Sequence, residues 1–326
     1  MRWTTFALCA LLAGCNKTAS EPDRPTEGGG VNKQKPAPLE PVTLPERYSR
    51  PAAERVVAIG DLHGDMAAVQ GAFRLAGAVD EQDKWIGGKL VVVQTGDVID
   101  RGDDDKRILD WLERVQGEAK AAGGELILLY GNHELMNVQG DFRYVTPGGF
   151  SAFGGGGPMV QVGDAPAEQA GRRLAFLPGG SYAKKLAQNH LLFVRVGRSV
   201  FVHGGILPKH ARMGLPAMDA AVATWLQGGN KSGEAQIAAE DSPVWARAFS
   251  DKPKPSDCAE LDKTLQLLDA DQLVMGHTVH KHIECACDCK AWTIDVGMSR
   301  FYKGPIEILE ITGDGRPHAV KQLKTP

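Results

Sequence analysis

Three short segments set metal-binding and proton-transferring side chains beside glycines. They are Gly60-Asp61-Leu62-His63-Gly64-Asp65, Gly96-Asp97-Val98-Ile99-Asp100-Arg101-Gly102 and Gly131-Asn132-His133-Glu134. Any one of these Asp or His residues alone would more often be structural or exposed than a ligand. Glycines at each segment let the backbone turn sharply beside a bound group, and three such segments in one chain carry far more information than one.

The elements around them explain how they would meet. Each segment follows an apolar run that reads as a buried strand: Arg55 to Ile59, Leu90 to Val93 and Leu126 to Tyr130. Between the runs, Met66 to Leu75 carries helical spacing, and Ile108, Leu112 and Val115 mark one face of a helix starting near Lys106. Strands alternating with helices imply a βαβαβ unit with a parallel sheet. Ligands of such sheets bind outside the carboxyl ends of the strands, so the three segments converge on one place. The second half is richer in strands. Leu191 to Val196 and Ser199 to His203 flank a hairpin turn at Gly197-Arg198, and further strands are expected at Leu273 to Met275, Trp292 to Ile294 and Ile306 to Ile311. Helices are expected at Ala217 to Leu226 and Ala259 to Leu268, and the glycine-rich Gly148 to Gly180 reads as a long loop.

The three segments, followed by Val202-His203-Gly204-Gly205 and Gly276-His277-Thr278, resemble in order the signature of the calcineurin-like metallophosphoesterase superfamily, in the form of its phosphoprotein-phosphatase branch. Arg143-Tyr144-Val145-Thr146-Pro147, Ser242-Pro243-Val244-Trp245 and Asp295-Val296-Gly297-Met298-Ser299 are similar to the Shewanella-like subgroup of bacterial and plant phosphatases. The resemblance implies a four-layer αββα sandwich, an α/β fold, with two divalent ions at the strand ends. Asp97 would bridge the ions; Asp61 and His63 would reach the first, and Asn132, His203 and His277 the second. Carboxylate, amide and imidazole ligands without thiolate suit Mn, Fe, Zn or Co.

Two ions about 3.5–4 Å apart make a shared water acidic enough to attack phosphorus. The implied reaction is attack of a metal-bound hydroxide on a phosphomonoester, with no covalent phosphoenzyme. Arg101 offers a planar fork for two phosphate oxygens. His133 would donate a proton to the leaving group, oriented by Asp100. Asn132, Arg247 and Arg143 are further candidates for substrate binding. Many phosphodiesterases of the superfamily carry another histidine two residues after the one matching His277; here that position is Val279. The expected substrate is a phosphorylated protein, at phosphotyrosine or phosphoserine/threonine. The alternatives are a small phosphomonoester, with a nucleotide or sugar-phosphate hydrolase such as a diadenosine-tetraphosphate hydrolase-like enzyme, and a catalytically inactive binding module.

The rest of the chain bounds its setting. Of 326 residues, 43% are hydrophobic and 24% charged, and the net charge is -3. No basic stripe provides the electrostatic footprint of a nucleic-acid partner. Residues 1–15 end in Leu12-Ala13-Gly14-Cys15 and resemble a bacterial lipoprotein signal, with Cys15 lipidated. Residues 16–50, rich in Pro, Glu, Lys, Gly and Thr, read as a disordered tether, leaving 51–326 as the catalytic domain. These features place the protein outside the cytoplasm, membrane-anchored and facing the periplasm or cell surface. In an exported chain, the remaining Cys258, Cys285, Cys287 and Cys289 suggest disulfides, with Cys258 bonded to one of the other three, which would share one strand face. His280 and His282 are read as solvent-facing or as supporting the ligands, His190, His210 and His318 as surface residues, and Trp245, Phe150 and Phe153 as packing.

Overall fold

The computed structural model describes residues 39–154, 169–313 and 315–321. β1 (Ser49–Arg50) and β2 (Arg55–Ile59) lead into α1 (Met66–Leu75), β3 (Val91–Gln94), α2 (Asp105–Ala121), β4 (Glu125–Leu129) and α3 (Asn132–Gln139). The middle of the chain holds α4 (Pro147–Ser151), α5 (Ala170–Phe176), α6 (Ser181–Asn189), β5 (His190–Leu191), β6 (Phe193–Val196), β7 (Ser199–Val202), α7 (Pro208–Met213), α8 (Leu215–Leu226) and α9 (Ser232–Ile237). It ends with α10 (Pro255–Leu268), β8 (Gln272–Met275), β9 (Glu284–Ala286), β10 (Ala291–Thr293), β11 (Glu307–Thr312) and β12 (Pro317–Lys321).

The strands form two six-stranded mixed sheets, in the orders β12-β11-β2-β3-β4-β5 and β1-β6-β7-β8-β10-β9. β2, β3, β4 and β5 run parallel, as the βαβαβ reading requires. Val56 to Ile59 and Val92 to Gln94 are buried along consecutive residues, the pattern of strands covered on both faces. α1 packs beside β11 and α2 on β4, with Phe73 meeting Trp111 edge-on at 4.9 Å. Asp65 starts α1 as its N-cap, accepting from the Ala67 amide at 3.1 Å. The architecture is the expected mixed α/β sandwich. No helix among the described residues is long and apolar enough to cross a membrane.

The structure departs from the sequence reading at four places. Residues 39–50, assigned to the tether, are packed: Leu39, Val42 and Leu44 lie against the core, and Tyr48 is buried, stacked on Phe193 at 5.2 Å. The Tyr48 hydroxyl donates to Asp219 at 2.9 Å, and Arg50 of β1 pairs with Glu125 of β4 at 2.9 Å, joining the two sheets. Within Gly148 to Gly180, α4 and α5 are helical; Thr146 caps α4, accepting from the Gly149 amide at 2.9 Å. His190 and His210 are buried, and burial pushes them down to about 3 and about 4. His210 earns its place by accepting from the Leu207 amide at 3.1 Å at the start of α7. Finally, β9 stops at Ala286, and Cys287, Asp288 and Cys289 turn in the left-handed region, so the three cysteines share no strand face. Cys258 is bonded to Cys287, and Cys285 to Cys289. Cys15 and the signal lie outside the described residues.

Candidate metal and phosphate site

Six strand ends supply the site. Asp61 and His63 follow β2, Asp97 follows β3, and Asn132 opens α3 just after β4. From the second sheet, His203 directly follows β7, His277 follows β8 and Asp295 follows β10. Close backbone approach makes this possible. A Cβ on Gly131 would strike Asp97 Oδ1, and one on Gly276 would strike Asp61 Oδ1. His63, Asp97, Asp100, Arg101 and His277 all sit in the left-handed region, with φ of 46°, 54°, 69°, 66° and 67°. Each such residue costs on the order of 1–3 kcal/mol, which persists only where surrounding bonds fix it.

Glu134 provides much of that fixing. Fully buried, it accepts from the amides of Asp97 (2.9 Å), Val98 (2.9 Å) and Gly131 (2.8 Å), tying the turn after β3 to the start of α3. The His133 amide donates to Asp97 Oδ1 at 2.9 Å. The His277 amide donates to both oxygens of Asp61 at 3.2 Å.

The donor atoms fit divalent cations. His203 Nδ1 donates to the Thr95 carbonyl at 2.8 Å, so Nε2 carries the lone pair; it faces Asn132 Oδ1 at 2.9 Å and Asp97 Oδ2 at 3.4 Å. Three acceptors thus converge with no proton between them, an arrangement that a cation satisfies. His63 repeats it: Nδ1 lies 3.2 Å from the Ile99 carbonyl, and Nε2 faces Asp61 and Asp97, each at 3.9 Å. Ligating atoms of His63, Asp97 and His133 lie within 4.8 Å of one another, and so do those of Asp97, His203 and His277. Asp97 belongs to both groups. Burial brings His63 down to about 3 and strongly lowers His277, keeping both imidazoles neutral as ligands must be. Burial, and then the Asp295 and Asp97 carboxylates, push Asp61 well above the usual carboxylate range. Burial also acts to raise Asp97, but wherever His203 and His133 carry protons they outweigh it and hold it well below. This crowd of buried acids is self-repelling unless positive charge offsets it.

Beside the metal-binding groups lies proton-transfer and anion-binding machinery. His133 Nδ1 is 2.7 Å from Asp100 Oδ2, leaving Nε2 directed to the site, 3.8 Å from Asp97 Oδ2. Burial lowers the His133 imidazole, but Asp97 and Asp100 reverse this and raise it overall. The Arg101 guanidinium is held against the rings of Tyr144, Phe301 and Tyr302, 4.4, 5.0 and 5.2 Å from their centroids. Its Nε is buried with no hydrogen-bond partner among the described residues.

The weaker arginine candidates sit farther out. Arg247 Nη1 donates to the His277 carbonyl at 3.0 Å and to Thr278 at 2.9 Å. Arg143 is exposed and engaged by Asp141 at 2.6 Å. Both line a groove of about 620 Å³ with Met136, Tyr144, Glu240 and Trp245. Trp245 packs against the core as expected and also walls the groove, and its carbonyl meets His277 Nε2 at 3.2 Å. Phe153 does pack, edge-on to Phe176 at 5.2 Å. His280 and His282 are paired with Glu284 at 2.8 Å and Glu307 at 2.6 Å, and His318 pairs with Glu310 at 3.4 Å. Sequence reasoning missed the roles of Glu134, Tyr302 and the buried Asn137, Asp105 and Arg172. The acid of Gly131-Asn132-His133-Glu134 was visible, but not that it binds backbone.

A profile of the calcineurin-like phosphoesterase family matches residues 54–281. Shewanella-like protein phosphatase 2 of Arabidopsis thaliana is 37% identical over 306 residues, covering 83% of this chain and 78% of that protein. Shewanella-like protein phosphatase 1 of Plasmodium berghei is 31% identical over 260 residues, covering 76% and 68%. Among solved structures, a cold-active protein-tyrosine phosphatase of a psychrophilic Shewanella shares the fold. Its TM-score is 0.64 at 22% identity, covering 86% of this chain and 83% of that one.

Proposed function

Because the chain belongs to the calcineurin-like phosphoesterase family and is a metal-dependent phosphatase, we propose that it dephosphorylates proteins, with phosphotyrosine preferred. Asp61, His63 and Asp97 would hold one divalent ion, and Asp97, Asn132, His203 and His277 the other, as Mn, Fe, Zn or Co. Such a pair acidifies water and neutralises phosphate charge. The convergence of lone pairs on Asp97 is the observation that carries this reading.

The chain's own groups do the rest. The Arg101 fork binds two phosphate oxygens, and its three aromatic neighbours keep it from swinging away. His133, tied at Nδ1 by Asp100, directs Nε2 to the leaving oxygen and gives it a proton. Tyr144 and Phe301, both exposed beside Arg101, offer faces to an aromatic leaving group; such contacts add about 0.5–1.5 kcal/mol. The relatives named as protein phosphatases, and the protein-tyrosine phosphatase of like fold, support the same substrate class. The groove walled by Trp245 would take flanking peptide, with Arg247 and Arg143 at its rim.

The metal-loaded protein should be screened against phosphotyrosine and phosphoserine peptides, nucleotides, sugar phosphates and diadenosine tetraphosphate. We expect kcat/KM for phosphotyrosine peptides to lead every small phosphate by about tenfold, ~1.4 kcal/mol. A nucleotide or dinucleotide in first place would instead establish the small-molecule hydrolase.

The proposal extends to location: an exported protein held on the membrane through lipidated Cys15. Its support is Leu12-Ala13-Gly14-Cys15 followed by a polar segment. Cys15→Ser should move the protein from the membrane to the soluble fraction with turnover unchanged. Continued membrane partitioning would remove the lipid anchor.

A further inference from the structure

Arg172 is the one fully buried arginine among the described residues, and it lies outside every group assigned above. Its donors are spent on one cluster. Nη2 donates to Asp100 Oδ1 at 3.0 Å, Nε to Asn137 Oδ1 at 2.7 Å, and Nη1 to Asp105 Oδ2 at 2.6 Å and the Gly149 carbonyl at 2.9 Å. The rings of Phe153 and Phe176 each lie 5.1 Å from its guanidinium carbon. A charge this deep is retained only against opposite charge and full hydrogen bonding, so its position is set within narrow limits.

Apart from the bond to the Gly149 carbonyl, every bond of that cluster leads back to one carboxylate. Asn137 Nδ2 donates to both oxygens of Asp100, at 3.0 and 3.1 Å, and to the His133 carbonyl at 2.9 Å. The bond from Arg172 Nε to Asn137 Oδ1 fixes which way that amide points. Asp105 Oδ1 accepts from the Asp100 amide at 3.0 Å. Arg172 therefore grips Asp100 directly, through Asn137, and through the backbone at Asp105. Asp100 in turn touches His133 Nδ1.

We infer that Arg172 is a positioning residue for proton donation: it fixes Asp100, and through it the His133 ring, in the orientation from which Nε2 reaches the leaving oxygen. This rests on the reading of His133 as proton donor under Proposed function. Arg172 touches neither substrate nor metal-binding groups. It lies in α5, outside the short motifs that carry the family resemblance, and its hydrogen-bond partners stand 23 to 72 positions away in sequence.

A positioning role predicts a selective defect. An ester of a poor leaving group needs the donated proton more than one of a good leaving group, and phenol is a poorer leaving group than p-nitrophenol. Phenyl phosphate and p-nitrophenyl phosphate are compared on the metal-loaded full chain, with metal content and thermal unfolding recorded for each variant. Arg172→Met should lower kcat for phenyl phosphate about thirtyfold and for p-nitrophenyl phosphate under about threefold, with KM for both little changed. Arg172→Lys keeps the buried charge but cannot span Asp100, Asn137 and Asp105 together. It should show the same split at about tenfold, and it serves if the methionine variant does not fold. In a His133→Asn background either change should add less than about twofold, because residues acting as a unit are not additive.

His133→Asn alone separates the two ideas. If it shows the leaving-group split while the folded, metal-loaded Arg172 variants lower both esters equally or neither, the positioning role is overturned and the proton donor stands. If His133→Asn itself lowers both esters equally, the proton-donor reading fails and the positioning role falls with it.

Discussion

Asp97→Asn is expected to lose at least about a thousandfold in kcat, ~4 kcal/mol of transition-state stabilisation, and to hold fewer than two metal ions per chain. Asp97 is the one residue common to both groups of ligating atoms. It also lies within 3.9 Å of His63, 3.8 Å of His133 and 3.4 Å of His203, so the loss of its charge is felt on both sides. The substitution tests charge rather than backbone. Asp97 has φ 54°, and asparagine tolerates the left-handed region as aspartate does. The Asn Oδ1 can still accept from the His133 amide. Thermal unfolding supplies an independent readout. With metal, the wild type should gain about 2.7 kcal/mol at a hundredfold excess over Kd, and the variant much less. Two ions per chain and near-normal turnover in Asp97→Asn would show that the site is assigned wrongly.

What could be read from the sequence was the part carried by local pattern. Apolar runs ending in Gly-Asp or Gly-Asn marked three strand ends, and those ends do meet. His203 and His277 were found from short motifs, and the structure brings them to Asp97. Properties set by distant partners were not legible. His190 and His210 looked like surface residues because nothing nearby in sequence shows that His190 opens a strand against the Tyr130 ring or that His210 lies on the buried side of α7. Tyr48 lies in a stretch whose composition suits a tether, yet its hydroxyl finds Asp219, 171 positions away. Arg172 sits in a glycine-rich region that reads as loop, and only the folded chain reveals three side chains and a carbonyl waiting for it. The pairing of Cys258 with one of the later cysteines was legible, but the strand face expected for those three was not. Their alternate spacing suggested a strand, and three successive residues with positive φ turned it into a tight bend instead.

Preference for monoesters over diesters should be at least about tenfold in kcat/KM for matched aryl substrates, and Arg101→Ala should shrink it. Val279 stands where many phosphodiesterases of the superfamily carry another histidine, and it is 45% exposed. The first ion would then draw only Asp61, His63 and Asp97 from the chain, leaving room for a phosphate oxygen. A monoester dianion carries more charge than a diester and gains more from two cations and a guanidinium. The surroundings of Arg101 sharpen the argument. Tyr144, Phe301 and Tyr302 close on its guanidinium, so the second organic arm of a diester would have to lie where the fork meets a free oxygen. Removing a donor of this kind costs about 10²–10³ in rate. Arg101→Ala should therefore lower the monoester reaction by that factor and the diester reaction by less than about tenfold, with metal content unchanged because Arg101 supplies no ligand. Equal preference in the wild type would place the protein among the diesterases of its family. An Arg101→Ala variant losing equally on both substrates would show that the fork binds an oxygen common to both esters, and monoester selectivity would then rest on the metal side of the site alone.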